Sequence, residues 1–182
     1  VMGRDAGHIA LNAGIAGGAD IILIPELDYS IDGVIKKLLE IKKNKIGHSL
    51  IIVAESVKKE NGDKVTNIYN KQKRFGGIGH YIAQEIAKKI DIECRVTSLG
   101  HIQRGATPVA IDRILASAFG VFAVDLIAKK KFSRLVVWQD RKVTDVPIED
   151  GIKDYRQVTN DDTLLKTAVS LGIYIGNYKK KV

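Results

Sequence analysis

The sequence predicts an α/β fold, in which a mainly parallel sheet lies between two layers of helices as a three-layer sandwich. Two short segments, Ile21–Ile24 and Leu50–Ala54, are apolar throughout and lack the alternation of a strand with one wet face. Between them, residues 31–43 repeat apolar side chains at helical spacing. Because crossover helices cover both faces of a parallel sheet, apolar strands joined by amphipathic helices indicate this class.

The first two helices have recognisable ends. Residues 5–16 predict a helix that stops at Gly17-Gly18, and Ser30 and Asp32 are suitable caps for the second helix. The predicted faces are Ile9, Ala13 and Ala16 in the first helix and Ile31, Val34, Ile35, Leu38, Leu39 and Ile41 in the second.

A polar excursion interrupts this pattern. Residues 56–73 are charged and contain the turn signal Asn61-Gly62-Asp63, which predicts an exposed segment with a short hairpin. After it we expect a helix over 78–90, a strand over 95–99, a helix over 108–129, strands over 135–138 and 143–147, and a helix over 163–171. The inward face of the long helix is predicted as Ile111, Leu115, Phe119, Phe122 and Leu126. No linker rich in Pro, Gly or Ser divides the chain, so we expect one domain.

Composition favours a soluble protein with an anionic ligand. The 182 residues carry 29 Lys and Arg against 21 Asp and Glu, a net charge of +8. Aromatic residues are 6% of the chain, too few for base stacking, so we expect no nucleic-acid partner. The apolar stretches are shorter than the ~20 residues that cross a bilayer, so we expect no membrane partner. Cys94 is the only cysteine, which suits a cytoplasmic location, and the tail Lys179–Lys181 is most simply a solvated end.

The strongest chemical signal is the string Gly100-His101-Ile102-Gln103-Arg104-Gly105, which sets an imidazole and a guanidinium three residues apart. Ligands of open parallel sheets bind beyond the carboxyl ends of the strands. Glu55 ends one predicted strand, and Arg4 begins the first helix, where backbone N–H groups also favour anions. Cationic groups with one carboxylate suit a phosphorylated polyol, because guanidinium groups hold phosphate and a carboxylate accepts sugar hydroxyls.

These residues also have structural explanations. Glu55 alone is structural about as often as functional, and Arg4 can pair with Asp5. Arg95 falls in a strand that should be buried, where an unpaired guanidinium is costly. It therefore either pairs locally or projects toward another subunit, and we favour the second.

Two other patterns carry little chemistry. The glycine-rich stretch 75–79 lacks a clear preceding strand and is best explained as a helix entry. His8, His48 and His80 lack metal-ligand spacing, so we expect no metal site in this chain.

The string at residues 100–105 combines with Val1-Met2-Gly3-Arg4, Pro25-Glu26, Val53-Ala54-Glu55 and Asp112–Ala116. Together these motifs resemble the C-terminal half of 6-phosphofructokinases, from Val1 to about Gly176. The resemblance implies the phosphofructokinase fold and a fructose 6-phosphate site. The positions that match the family's sugar-phosphate ligands are Met2, Gly3, Arg4, Glu55, Arg95, His101, Ile102, Gln103 and Arg104.

The resemblance also implies a reaction. It is phosphoryl transfer from ATP or pyrophosphate to the 1-hydroxyl of fructose 6-phosphate, which gives fructose 1,6-bisphosphate in glycolysis. Arg4 is the best catalytic candidate, because the family arginine that it matches also stabilises charge on the transferring group. Arg95 matches an arginine that reaches the neighbouring subunit's sugar phosphate, which implies a homodimer or homotetramer. Ile46 and Gly47 stand where allosteric bacterial enzymes have basic effector residues, so we expect no control of that kind.

The family's phosphate-donor motif, general base and magnesium-binding carboxylates have no counterpart in the sequence. We expect them in a preceding half, with Mg²⁺ as the cofactor of the whole enzyme, and we expect residues 1–182 to be inactive alone. The choice between ATP and pyrophosphate stays open, because the deciding residues belong to that half. The alternative is a non-catalytic phosphosugar-binding lobe or a partner-dependent subunit.

Overall fold

The structure, a computed structural model, describes residues 1–44, 47–69, 72–153 and 155–178, and for residues 67–69 and 72–75 it describes the backbone only. Ile46 and the tail Lys179–Lys181, on which two sequence-based expectations depend, lie outside the described residues. The elements in chain order are α1 (His8–Ala16), β1 (Ile21–Leu23), α2 (Ile31–Lys43), β2 (Ile51–Val53), β3 (Thr66–Tyr69), β4 (Gln72–Phe75), α3 (Ile78–Lys89), a 3-10 helix (Gly100–Arg104), α4 (Ala110–Ala128), β5 (Arg134–Gln139), β6 (Lys142–Pro147), α5 (Ile148–Ile152) and α6 (Thr163–Ser170).

The chain divides into two compact units, whereas the sequence suggests one. The first unit is Val1–Gln103 together with the segment that begins at Arg156, and the second is Arg104–Tyr155. The division was not visible in the sequence, because neither boundary carries the Pro, Gly or Ser run that marks a linker.

A parallel sheet forms the centre of the first unit, as the sequence predicts. β1 pairs with β2 in parallel, with Ile21 opposite Ile51 and Leu23 opposite Val53. Tyr174 extends the sheet on the other edge of β1 through a parallel bridge to Ile21. All three residues of β1 are buried, and those of β2 are half-buried. The α/β class is therefore confirmed.

α2 forms as its caps and spacing predict. The Ser30 Oγ atom accepts the Gly33 N–H at 3.0 Å, which satisfies one of the free donors at the helix start. The predicted face is buried except for Leu39, whose side chain is 46% exposed. Leu39 lies at the edge of the apolar stripe, outside the face that is buried.

α1 begins later than predicted and buries a different face. It starts at His8 rather than Asp5, and its buried residues are Ala10, Leu11 and Gly14 rather than the predicted face. A Cβ atom at Gly14 would overlap the Ile22 side chain, so the helix packs against β1 through a glycine. The sequence did not show this, because small and apolar residues occupy most of the surface of α1 and only His8 and Asn12 are polar.

Residues 95–99 do not form the predicted strand, nor is that segment buried. A strand needs a hydrogen-bonded neighbour, and the segment pairs with no strand in the described part of the chain. The charged excursion does contain the predicted hairpin, since β3 and β4 pair antiparallel with Thr66 opposite Phe75. Gly77, with φ near +90°, caps α3, which confirms the glycine-rich stretch as a helix entry.

The second unit contains α4, α5 and an antiparallel hairpin of β5 and β6. The Arg134 guanidinium pairs with the Asp145 carboxylate across the two strands. Of the predicted inward face of α4, Leu126 is buried and Leu115, Phe119 and Phe122 are half-buried, whereas Ile111 is 56% exposed. The predicted stripe is therefore the more covered side of α4 except at its first turn. None of the helices in the described ranges is both long and apolar enough to cross a bilayer.

Candidate functional site

The segment Val1–Gly7, called the N-terminal loop below, leaves the sheet at the carboxyl end of β2. The Val1 nitrogen donates to the Val53 carbonyl at 2.8 Å, and the Glu55 N–H donates to the Val1 carbonyl at 2.9 Å. These two bonds are a parallel ladder, so Val1 pairs with β2 as a strand residue. The loop therefore starts at the sheet edge where ligands of this class bind.

Side chains from distant parts of the first unit hold the next two residues. The Met2 N–H donates to the Gln103 Oε1 atom at 2.7 Å, and the Gly3 N–H donates to the Glu55 Oε1 atom at 3.4 Å. The Ser56 hydroxyl donates to the Gly3 carbonyl. The N–H groups of Met2 and Gly3 and the Gly3 carbonyl are thus held by protein atoms.

Gly3 is required by the path of this loop. Its φ is near +156°, and a Cβ atom there would lie 3.0 Å from the Ala6 carbonyl oxygen and 3.1 Å from the Ala54 Cβ atom. Both neighbours belong to packed backbone or to a rigid methyl group, which cannot swing aside. The close approach of the loop to β2 therefore depends on glycine.

Arg4 projects from this fixed backbone without a protein partner. Its side chain is exposed, and it forms no ion pair with any described residue, including Asp5. A guanidinium presents five donors in a planar fork, which matches a phosphate group. An unpaired arginine on a held loop is therefore available to an anionic ligand.

A cleft of about 1680 Å³ opens beside the loop. Four of the predicted polar ligands line it: Arg4, Glu55, Arg95 and His101. Met2 lines it as well, and side chains of α2 and α3, such as Leu38 and Ile82, form an apolar part of the wall. Small-molecule pockets measure roughly 300–1,000 Å³, so a sugar phosphate fills only part of this cleft.

The 3-10 helix carries the remaining predicted ligands. His101 is exposed and lines the cleft, and Gln103 is half-buried by its bond to Met2. Ile102 is 77% exposed. Arg104 is exposed and is the first residue of the second unit. The structure thus brings Met2, Gly3, Arg4, Glu55, Arg95, His101 and Gln103 together within the first unit.

Arg95 corrects one sequence expectation. Because residues 95–99 form no strand, its guanidinium is not buried, and the Nε atom donates to the Glu93 Oε1 atom at 2.9 Å. The two side chains are 86% and 75% exposed. Ion pairs this exposed contribute at most about 1 kcal/mol, so Arg95 can exchange Glu93 for another anion at little cost.

The described residues do not assemble a magnesium site. No group of three or more His, Cys, Asp or Glu side chains gathers in those ranges. Mg²⁺ prefers carboxylate and phosphate oxygens in octahedral geometry, and Glu55 is the carboxylate among the predicted ligands that line the cleft.

Sequence reasoning missed Glu26 as part of this neighbourhood. It follows β1, and its carboxylate accepts the Gly7 N–H at 2.9 Å, at the far end of the N-terminal loop. The signal was present, because Pro25-Glu26 follows its strand much as Glu55 follows β2. Its partners could not be inferred, since they are 19 and 132 residues away.

The fold and the cleft together indicate the general class of this protein. This is an α/β protein whose cleft runs along β2 to its carboxyl end and is lined by both cationic and acidic side chains. A family model described as "Phosphofructokinase" matches residues 1–127. The chain therefore belongs to the phosphofructokinase family.

Curated relatives support the assignment. The chain is 53% identical over 178 residues to "ATP-dependent 6-phosphofructokinase 1" of Synechocystis sp. and 52% identical over 178 residues to the protein of that name in Nostoc sp.. Each alignment covers 97% of this chain and 49% of the relative. The chain thus spans about half the length of the curated relatives it matches.

Solved structures agree. The T-state structure of Pichia pastoris phosphofructokinase is 31% identical, with a TM-score of 0.66 over 84% of this chain and 17% of that chain. A pyrophosphate-dependent phosphofructokinase from Marinobacter aquaeolei has a TM-score of 0.71 over all of this chain and 48% of that chain. Its 16% identity supports the fold alone.

Proposed function

We propose that this chain supplies the fructose 6-phosphate site of an ATP-dependent 6-phosphofructokinase, which forms fructose 1,6-bisphosphate in glycolysis. The observation that carries the proposal is the N-terminal loop, which holds its backbone on protein atoms and offers Arg4 to a cleft shared with Glu55 and His101. This arrangement has the donors for a phosphate and the acceptor for sugar hydroxyls.

Each predicted ligand has a distinct part in the proposed complex. Arg104 and His101 donate to the 6-phosphate, and Glu55 accepts hydrogen bonds from sugar hydroxyls. The backbone of Met2, Gly3 and Ile102 shapes the site. Gln103 acts through Met2, whose N–H it accepts, as well as through the substrate.

Arg4 is the proposed catalytic residue of this chain. Negative charge builds on the oxygens of the transferring phosphoryl group, and a fixed guanidinium beside them lowers the barrier. Magnesium neutralises part of that charge in such reactions. Because the described residues form no carboxylate cluster, we assign its ligands and the general base to another part of the full protein.

Arg95 is the proposed contact between subunits. It sits on an exposed segment, and its ion pair among the described residues is an exposed one with Glu93. In the proposed homodimer or homotetramer, it leaves Glu93 and binds the sugar phosphate of the neighbouring site. The enzyme is cytoplasmic in this proposal.

ATP is the donor we propose, because the curated relatives at 52–53% identity are named for ATP. The test is an assay of the full-length protein with fructose 6-phosphate and either ATP or pyrophosphate. We expect fructose 1,6-bisphosphate with ATP. Turnover with pyrophosphate alone would reassign the donor. Binding of fructose 6-phosphate without turnover by either donor would favour the non-catalytic lobe.

A further inference from the structure

The Glu26 carboxylate joins three separate segments of the first unit. Its Oε1 atom accepts the Gly7 N–H at 2.9 Å and the Val158 N–H at 3.0 Å, and its Oε2 atom lies 3.1 Å from the Gly7 nitrogen. Glu26 itself follows β1. One half-buried side chain therefore connects the end of a central strand, the start of α1 and the returning C-terminal segment.

The contact at Gly7 is closely fitted. Gly7 is buried and is the N-cap of α1, where backbone N–H groups lack helical partners and favour a negative charge. A Cβ atom at Gly7 would overlap Ile24 and would lie 2.9 Å from the Glu26 Oε2 atom. The backbone of Gly7 and the carboxylate can meet only because no side chain stands between them.

This bond fixes one end of the segment that carries Arg4. The other end is fixed by β2, Glu55 and Gln103 through Val1, Met2 and Gly3. Arg4 and Asp5 lie between these two ends with exposed side chains. The position of the Arg4 guanidinium therefore depends on anchors on both sides of it.

We propose that Glu26 is a positioning residue for the substrate site: it holds the α1 end of the N-terminal loop so that Arg4 meets the phosphorylated substrate without a cost of ordering. The inference rests on the proposed function, because it takes Arg4 to contact fructose 6-phosphate as well as the transferring phosphoryl group. Glu26 touches neither substrate in this account. It acts through Gly7.

The chain offers a matched control in Glu60. The Glu60 Oε1 atom accepts the Ile31 N–H at 2.9 Å, at the first residue of α2. Both glutamates thus accept a backbone N–H at a helix start at the same distance. Of these two glutamates, Glu26 is the one that holds the loop carrying Arg4.

The experiment compares Glu26→Ala, Glu26→Gln and Glu60→Ala in the full-length protein. Steady-state kinetics give kcat and the KM for each substrate, thermal unfolding gives Tm, and hydrogen exchange without substrate reports on residues 3–11. We expect Glu26→Ala to lower kcat, because Arg4 also serves the transferring group. It should raise the KM for fructose 6-phosphate about tenfold, the size of one charged hydrogen bond that a displaced Arg4 loses to its substrate, with the KM for ATP within about twofold. Exchange in residues 3–11 should become faster.

The other variants separate positioning from stability. Glu60→Ala should lower Tm by a similar amount yet leave the KM for fructose 6-phosphate and the exchange of residues 3–11 unchanged. Glu26→Gln keeps one acceptor oxygen but places an amide NH2 group near the Gly7 nitrogen, so it should recover only part of the affinity. If Glu26→Ala fails to fold, Glu26→Gln is the test, and a wild-type KM for fructose 6-phosphate together with wild-type exchange in residues 3–11 would then overturn the positioning role. Equal KM changes in Glu26→Ala and Glu60→Ala, or an equal rise for both substrates, would overturn the positioning role. An inactive wild type would instead overturn the proposed function.

Discussion

Two segments of the first unit line the same cleft, and they are held in different ways. The N-terminal loop donates backbone hydrogen bonds to side chains 19 to 101 residues away in sequence. In the segment 91–99, the hydrogen bonds among described residues are local: Ile92 N–H to Ile90, Cys94 Sγ to Ile92 and Arg95 to Glu93. Its tertiary contacts include Ile92, which is half-buried against the core, and Val96, which lies 3.2 Å from where a Cβ atom of Gly79 would be.

This difference shows which part of the site is already ordered before a ligand binds. Binding that must first order a segment loses affinity, and binding to a segment already in place does not. The N-terminal loop has its geometry set by the fold of the first unit. The segment 91–99 carries Arg95 on locally held backbone, so its final geometry depends on a ligand or a partner.

The largest effect we expect is from Arg4→Ala in the full-length protein. Loss of a fixed donor at the transferring group should lower kcat about 10²–10³-fold, because no other described cation sits on the held loop. Arg4→Lys keeps the charge but lacks the planar fork of donors, so its kcat should lie between those of the wild type and Arg4→Ala. A loss in kcat of less than threefold would show that Arg4 is not catalytic, and the N-terminal loop would then have no assigned role in the reaction.

Arg104→Ala should weaken fructose 6-phosphate binding by about 1.5–3 kcal/mol, the range for a hydrogen bond between charged groups. Isothermal titration of the full-length protein measures this directly. Lys131→Ala removes an exposed cation from the same unit and is the control for net charge. Equal affinities in the Arg104 and Lys131 variants would exclude Arg104 from the site.

Gln103→Leu tests the bond to the N-terminal loop. It leaves the Met2 N–H without its acceptor, at a cost of about 1 kcal/mol, so the KM for fructose 6-phosphate should rise about fivefold. Gln103→Glu keeps an acceptor at the same place and should recover part of that loss. If the leucine variant binds as the wild type does, the bond does not position the loop.

Glu93→Gln gives the smallest effect and tests the other side of the comparison. Its ion pair with Arg95 is exposed, so its loss should change the free energy of unfolding by less than about 1 kcal/mol and the KM by less than twofold. Chemical denaturation and initial-rate kinetics measure the two quantities. A clear drop in stability would show that residues 91–99 are held more firmly than their contacts indicate.

The sequence predicted the parallel strands and the capped helix α2 well, because both depend on local spacing and local caps. It was wrong about the buried face of α1, since His8 and Asn12 are its only polar residues and the helix packs through a glycine, which apolar spacing does not mark. It was also wrong about a strand over 95–99, because a segment of extended propensity becomes a strand only beside another strand. Periodicity reports on a segment and not on its neighbours.

The same limit applies to the site. Arg4, Glu55 and His101 could be singled out as strand-end or helix-start residues, and the structure brings them to one cleft. The bond from Met2 to Gln103 spans 101 residues, and Glu26 holds Val158 across 132. Contacts of that kind have no periodic signature, so the ligand candidates were visible in the sequence and the residues that position them were not.

The central claim is that the fold orders the N-terminal loop before any ligand binds, and that fructose 6-phosphate orders the segment 91–99. Hydrogen exchange of the full-length protein, with and without fructose 6-phosphate, tests it most directly. We predict that the amides of Met2, Gly3 and Gly7 are protected without ligand and change little, while residues 91–101 gain protection when the sugar phosphate binds. Fast exchange in the N-terminal loop without ligand, or no change in residues 91–101 at saturating fructose 6-phosphate, would contradict it.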